Sequence, residues 1–324
     1  MTNPQPELGI DRRTLLRRGS VLGAAAGLGA VGTPALAATQ PGSGSRAAMP
    51  DITALFGDFF AAKSAHSPDR TMAFFDRAST IYTDATVGWQ FPTWAALKAL
   101  FTKYMPAWPA AARSYPTRII GSEHGAVVFF TNTPQEFGHE IRGLAVVDIR
   151  DGKFVRWVDY WDGRHFGVAA TASLRVPPSQ FPADFGESRI GDEAGKTMTV
   201  VTGHLTQALG QNDPEQAAKL FAPDAVLEDL TLHTAIVGHQ AIASYLARAT
   251  ATLPYGQSAR VRHLVGGDGG GAYEWTSASG PVPRGVNAIE LSPRGQITHL
   301  WSIWDGSLAA PAWITRAMAL TIES

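Results

Sequence analysis

The chain repeats one pattern of residues, and this repeat limits the folds open to it. The segment Trp157–Gly163 returns as Leu300–Gly306, 143 positions further along. Two other landmarks return at nearly the same offset: Asp84 as Asp229, and Arg142-Gly143 as Arg284-Gly285. Landmarks that share one offset predict two copies of one domain. A length of 324 residues also fits two domains, so each copy is expected to form its own core.

Charge and cysteine content narrow the classes of function. The formal net charge is −1, and no basic stripe runs through the body of the chain. Nucleic acid and anionic membrane surfaces are not expected as partners, because both attract clustered lysine and arginine. The absence of cysteine excludes disulfides, thiolate metal sites and cysteine nucleophiles. The nine histidines lack metal-ligand spacing, so neither a metal nor a cofactor is expected.

Residues 1–37 are predicted to be an export signal rather than part of the fold. The segment Asp11–Arg17 resembles the twin-arginine motif, and a weakly apolar stretch follows it. Ala35-Leu36-Ala37 fits a small-residue cleavage site, and residues 38–50 read as a flexible leader. The mature protein is therefore expected in the periplasm or outside the cell, without a membrane span.

The order of predicted elements is the same in both copies. Residues 51–168 read as two helices, a short strand, a third helix and four longer strands, and residues 190–324 repeat this order before a C-terminal helix. Residues 169–189 are predicted to link the copies. We expect an α+β fold of two tandem cone-shaped domains, each a curved antiparallel sheet wrapped around three helices. The apolar interior of such a cone suits a small apolar molecule.

Both copies resemble the SnoaL-like, nuclear-transport-factor-two-like superfamily, and copy one is more similar to limonene-epoxide hydrolase. Residues Gly152–Asp162 follow the last-strand pattern of that family, G-K-I-x-x-W-x-D-Y-F-D, without a gap. The resemblance implies that Asp159 is a base that activates water. The Tyr and Asn that this family places two apart on the short strand fall on Tyr82 and Asp84.

The residue types in copy one suit this chemistry, apart from one missing group. A carboxyl group in an apolar cone has a raised pKa and can accept a proton from water. Period-two spacing places Trp157, Asp159 and Trp161 on one strand face, as aromatic walls around an acid. The acid that the family carries in an Arg-x-Asp pattern falls on Ala126-Val127-Val128 and is absent. The candidates to replace it on the neighbouring strand are Arg142, Glu140 and His139, and Arg142 is also expected to offer positive charge.

Copy two is more similar to ketosteroid isomerase. The segment Phe221–Asp229 follows the family segment that ends in a proton-shuttling aspartate, which the resemblance places on Asp229. The oxyanion-binding acid of that family falls on Asn287, and its oxyanion-binding tyrosine falls on Leu205. Ser302 stands where copy one has Asp159. The predicted substrate contacts over both copies are Trp157, Trp161, Asn287, Ser302 and Trp304.

Three functional hypotheses follow. The first is a cofactor-free hydrolase or isomerase, with epoxide opening in copy one as the best-matched reaction. The second is proton transfer next to a carbonyl in copy two, with Asp229 as the base. The third is a non-catalytic protein that binds a lipid-like molecule. A structural role competes for the acids, since Asp84 and Asp229 could cap the turns that follow them. Pairing of the two copies within one chain and pairing of two chains both stay open.

Overall fold

The computed structural model describes residues 50–191 and 194–322, so the predicted signal segment lies outside it. In domain 1 the helices are α1 (Pro50–Ser64), α2 (Pro68–Met72), α3 (Trp94–Tyr104) and α4 (Pro134–Phe137). Its strands are β1 (Ile81–Asp84), β2 (Trp89–Phe91), β3 (Ser114–Ser122), β4 (Gly125–Asn132), β5 (Ile141–Arg150) and β6 (Lys153–Trp161). Three short helices, α5 (Gly163–Phe166), α6 (Val168–Leu174) and α7 (Glu187–Ile190), lead to domain 2.

Domain 2 repeats this order. Its helices are α8 (Lys196–Gly210), α9 (Pro214–Ala218), α10 (His239–Ala249) and the C-terminal α11 (Pro311–Ala319). Its strands are β7 (Phe221–Asp229), β8 (Thr234–Val237), β9 (Ala259–Gly267), β10 (Gly270–Ser277), β11 (Arg284–Leu291) and β12 (Ile297–Trp304). The predicted α+β class with two tandem domains is confirmed.

Local sequence signals explain where the helices begin. Ser67 accepts a hydrogen bond from the backbone N–H of Arg70, and Pro68 occupies the first helical position of α2. Thr93 caps α3 in the same way through the N–H of Ala96. Asp213 does so for α9. These caps mark the starts of the second and third helices of domain 1 and of the second helix of domain 2.

The two sheets have the same topology, and each is antiparallel as predicted except at one parallel pair of strands. The strand orders are β2-β1-β6-β5-β4-β3 and β8-β7-β12-β11-β10-β9. The last strand of each domain returns beside the first and runs parallel to it, as β6 beside β1 and β12 beside β7. The edge strands β2 and β8 were not predicted, because segments of three and four residues are too short to show an alternating pattern.

Each sheet has one face against its own helices and one face against the other sheet. In domain 1 the helix-side core includes Phe56, Phe59 and Trp157. A separate cluster of buried residues joins the two sheets, with Val146 and Val158 from domain 1 and Val286 from domain 2. The copies therefore pair within the chain, sheet against sheet. Within the described ranges, no helix combines the length and apolarity needed to cross a bilayer.

Candidate active site

Strand β6 sends its side chains alternately to the two faces of its sheet. Trp157 lies in the core under the helices, whereas Val158 and Tyr160 belong to the cluster between the sheets. Asp159 and Trp161 share the parity of Trp157, so all three face the interior of the cone, as the spacing predicted. Across the parallel pair, Trp157 stands beside Tyr82.

The carboxyl group of Asp159 is nearly enclosed and carries two hydrogen bonds. Only 8% of the residue is exposed. The Trp157 indole donates to Oδ1 at 2.6 Å, and the Tyr82 hydroxyl donates to Oδ2. Burial raises the pKa of Asp159, and the bonds from Tyr82 and Trp157 limit that rise. Each carboxylate oxygen keeps a further lone pair, so this group can still accept a proton from water.

Asp84 lies beside Asp159 in register but has a different set of partners. Its Oδ1 accepts from the backbone N–H groups of Thr86 at 2.9 Å and Val87 at 3.1 Å, and its Oδ2 accepts from the Trp161 indole at 3.0 Å. These bonds cap the turn after β1. Burial first, and then the nearby Asp159 charge, raise the pKa of Asp84 to about 7. Asp84 therefore anchors a turn and is a second buried acid next to the base.

Asp229 repeats this turn in domain 2. It accepts from the N–H groups of Thr231 at 3.0 Å and Leu232 at 2.9 Å and from the Trp304 indole at 3.2 Å. Burial raises the pKa of Asp229 to about 6. Because Asp84 and Asp229 hold equivalent bonds, the repeated aspartate is explained by the turn, which is the structural alternative considered above.

The two cones differ where Asp159 lies. The positions of Tyr82 and Trp157 are taken in domain 2 by the paired residues Leu227 and Leu300. Asp229 is paired with Ser302, as Asp84 is paired with Asp159. Domain 2 thus keeps the turn-capping acid and lacks the second acid together with both of its hydrogen-bond donors.

Domain 2 has its own buried polar group, centred on Asn287. Its Oδ1 accepts from the Trp275 indole and the Ser302 hydroxyl, each at 3.0 Å, and its Nδ2 donates to the Tyr273 hydroxyl at 2.8 Å. Asn287 and Ser302 are fully buried. The predicted residues Asn287 and Ser302 are therefore in contact, and Tyr273 and Trp275 complete a group that the sequence did not reveal.

Two tyrosine hydroxyls also point into the interior of domain 2. Those of Tyr245 and Tyr255 are buried and have no hydrogen-bond partner within the described residues. Burial, followed by the Asp229 charge, raises the pKa of both phenols. Neither residue was predicted, because Tyr245 in α10 and Tyr255 in the loop after it belong to no local motif.

The structure does not bring Arg142 to the predicted site. Its guanidinium lies on the surface and pairs with Glu140 at 2.7 Å, with 73% of the side chain exposed. Arg142 alternates with Gly143, the β5 residue paired with Trp161, and therefore takes the face of the strand opposite to the cone. Arg142 is removed from the candidate site for this reason.

Four polar residues of domain 1 that share hydrogen bonds were missed by the sequence reading. We call Lys63, Ser114, Asn132 and Glu136 the rim cluster. Lys63 donates to Asn132 at 2.9 Å. The Ser114 hydroxyl, which has one proton to donate, lies 2.5 Å from Asn132 Oδ1 and 2.8 Å from Glu136 Oε1. Its members come from α1, β3, β4 and α4, so no local motif links them.

Asp162 and Asp305 end the two last strands and have structural partners. Asp162 caps α5 and binds the Arg164 guanidinium at 2.6 Å. Asp305 accepts from the N–H of Ser307 at 2.9 Å, as expected of a capping residue. Among the described residues, no group of three His, Asp or Glu side chains is placed to hold a metal ion.

The comparisons with known proteins bear on the fold. Residues 201–310 match the SnoaL-like domain model. A steroid delta-isomerase from Pseudomonas aeruginosa is 13% identical, with a TM-score of 0.33 over 40% of this chain and 93% of its own. An NTF-2-like protein of unknown function from Burkholderia xenovorans is 19% identical, with a TM-score of 0.30 over 45% of this chain and 96% of its own. No curated protein matches the chain.

The family match supports the predicted SnoaL-like resemblance in domain 2. The closer resemblances, of copy one to limonene-epoxide hydrolase and of copy two to ketosteroid isomerase, stay predictions.

Proposed function

We propose that domain 1 is a cofactor-free hydrolase that opens an epoxide on a small apolar molecule. The observation that carries this proposal is the Asp159 carboxyl group, 8% exposed in an aromatic interior and held by Tyr82 and Trp157. Domain 2 has Ser302 at the same position and still forms the same fold, so the fold alone does not explain why domain 1 has an acid there.

The reaction needs a base that takes a proton from the attacking water. Asp159 takes a proton from water while the water oxygen bonds to an epoxide carbon and the carbon–oxygen bond opens. Hydrogen bonds from Tyr82 and Trp157 fix the orientation of the carboxylate before water arrives. The raised pKa of Asp159 brings its basicity closer to neutral pH, where general-base catalysis is most effective.

Turnover of a panel of apolar epoxides tests the base. Asp159→Asn is expected to lower kcat by at least about 100-fold, the usual effect of removing a general base. Asp58→Asn, at an exposed acid on α1, is the matched control and is expected to keep full activity. Equal rates for Asp159→Asn and the unmodified protein would refute the assignment.

A second candidate function belongs to domain 2 and rests on a separate observation. Asp229 is fully buried with a pKa of about 6, and the buried Tyr245 and Tyr255 hydroxyls lie near enough for its charge to raise their pKa. Such an arrangement supports proton transfer next to a carbonyl, as in an isomerase. Exchange of α-protons in a panel of cyclic enones, lost in Asp229→Asn and kept in Asp159→Asn, would favour this reading.

Retention of an intact lipid-like molecule with no turnover of either panel would favour the binding hypothesis. Mass spectrometry of small molecules that stay with the purified protein provides this measurement. Export is proposed from the twin-arginine motif. The double variant Arg12→Lys/Arg13→Lys is expected to stay in the cytoplasm, and cell fractionation measures this.

A further inference from the structure

The rim cluster lies at the same cone as Asp159. Lys63 follows Phe59 by four residues on α1, so both side chains share one face of that helix. The Phe59 ring lies 4.8 Å from the Trp157 ring, which places this face against the site. Asn132 follows Phe130 by two residues on β4 and shares its helix-side face.

The charges of the rim cluster act on the Asp159 pair. Lys63 lowers the pKa of Asp159, alongside the larger effects of burial and of the two hydrogen bonds. Glu136 contributes to the raised pKa of Tyr82. The rim cluster and the Asp159 pair therefore lie close enough for their charges to interact.

The hydrogen bonds of the rim cluster are incomplete. Glu136 Oε2 is buried and has no hydrogen-bond partner within the described ranges, and its distance to Lys63 Nζ is 4.0 Å. A buried carboxylate oxygen without a donor is costly. Lys63 carries three N–H donors, of which Asn132 takes one. Glu136 Oε2 thus needs a donor, and it lies beside Lys63 N–H groups that need an acceptor. This pair suits a substrate oxygen that accepts from Lys63 as an anion and donates to Glu136 once it is a hydroxyl.

Domain 2 lacks the rim cluster as well as the second acid. Helices α1 and α8 have equal length, and Leu209 occupies the position of Lys63. Strands β4 and β10 also have equal length, and Ser277 occupies the position of Asn132. The ammonium and the second acid thus occur in the same copy of the domain.

We infer that Lys63 is the oxygen-binding group of the domain 1 cone, which takes the substrate oxygen where negative charge develops, with Asn132 and Glu136 as positioning residues. This rests on the proposed hydrolase function. When the epoxide carbon–oxygen bond opens, the oxygen takes a proton from the Lys63 ammonium. Solvent then returns a proton to Lys63 and accepts the one that Asp159 gained, so protons balance over the cycle. Lys63 provides the positive charge that the sequence assigned to Arg142.

The ionisation of bound 4-nitrophenol tests this inference without any turnover. Its oxygen becomes an anion on a planar apolar ring, and its absorbance distinguishes the two forms. The full-length protein is expected to bind the anion preferentially, so the bound probe ionises at lower pH than the free probe. Lys63→Met is expected to weaken binding of the anion at least tenfold, and Lys63→Arg is expected to restore most of it.

Controls separate this electrostatic role from a structural one. Lys98→Met removes a more exposed lysine of the same domain, which pairs with Asp69, and is expected to behave as the unmodified protein. Glu136→Gln removes the carboxylate that lies 4.0 Å from the Lys63 ammonium, so the bound probe is expected to ionise at still lower pH. A purely structural cluster would give the opposite result, because Glu136→Gln would then weaken binding of both forms.

Two outcomes distinguish the two proposals. A preference for the anion that needs Lys63, without turnover of any epoxide, keeps the oxygen-binding site and refutes the hydrolase. Lack of any preference for the anion in the unmodified protein, or the same preference in Lys63→Met, overturns the inference about Lys63 even if Asp159 proves to be the base.

Discussion

At the scale of single residues, the two domains together hold three aspartates on the cone side, in two kinds of environment. Asp159 receives hydrogen bonds from two side chains, whereas Asp84 and Asp229 each receive two from backbone N–H groups. Backbone donors belong to a turn, so Asp84 and Asp229 each have a structural role whatever else they do. Asp159, held by side-chain donors instead, caps no turn, and its carboxylate is free to act on a bound molecule.

Tyr82→Phe is predicted to move the pH dependence of turnover. The hydroxyl of Tyr82 lowers the pKa of Asp159 against the effect of burial, so its removal raises this pKa further. The base is then protonated up to a higher pH, and the acidic limb of the kcat profile moves upward. A pH–rate series with the best epoxide measures the shift. An unmoved acidic limb would mean that Asp159 does not control the profile.

Asp229 is predicted to make the protein less stable as pH rises. Burial raises its pKa from 3.8 to about 6, so between these values the folded chain holds a proton that the unfolded chain has lost. This contribution is fully present below pH 3.8 and is lost as pH rises to about 6, with a slope of at most about 1.4 kcal/mol per pH unit. Urea unfolding of Asp229→Asn across this range should show a flatter profile, and the exposed Asp224→Asn should not.

At the scale of elements, the repeated Arg-Gly pair marks a close approach between strands. A Cβ atom on Gly285 would lie 2.4 Å from the Trp275 ring and 2.7 Å from the Ile303 carbonyl oxygen. On Gly143 it would lie 2.8 Å from the Tyr160 carbonyl oxygen. Glycine is therefore the repeated member for a packing reason, and the arginines before it need no shared function.

Gly285→Ala is predicted to destabilise the protein by about 1–3 kcal/mol, because the methyl group has no room beside Trp275. Gly203→Ala provides the contrast. Gly203 lies inside α8 with open space around it, so the substitution is expected to stabilise by about 0.5–1 kcal/mol. Thermal unfolding of both variants measures the difference, and equal effects would contradict the packing account.

The element order could be predicted from the sequence because periodicity and capping residues are local signals. Thr93 and Ser67 are capping residues that mark where their helices begin, and the alternation along β6 predicted that Asp159 faces the interior. The rim cluster could not be predicted, because Lys63 and Asn132 meet only after α1 packs on the sheet. The twofold spacing of β5 also gave no sign that Arg142 would take the outer face, since its neighbour Gly143 has no side chain to show the pattern.

At the scale of the whole molecule, a buried ion network joins the two sheets. Arg156 is fully buried and contacts Glu274 of domain 2 at 2.5 Å and Asp148 of its own domain at 3.4 Å. His263 of domain 2 contacts Asp148 at 2.8 Å. Since each domain provides partners for the charges of the other, separation of the sheets would leave charges unpaired.

Arg156→Met is predicted to destabilise the protein by about 3–5 kcal/mol, because it leaves Glu274 buried without its cation. Arg156→Met combined with Glu274→Gln is expected to cost less than the sum of the single changes, since the stranded charge is then removed. Urea unfolding of the four proteins gives the coupling energy. Additivity within about 0.5 kcal/mol would show that the two side chains do not act as a pair.

The sheet-to-sheet contact has a consequence for how this protein could diversify. When two identical chains associate, every substitution appears in both halves, so neither half can change its chemistry alone. Here the halves are separate stretches of one polypeptide, and one carries Asp159 where the other carries Ser302. Covalent duplication thus allows one domain to gain a specialised site while the other domain keeps the shared sheet-to-sheet scaffold.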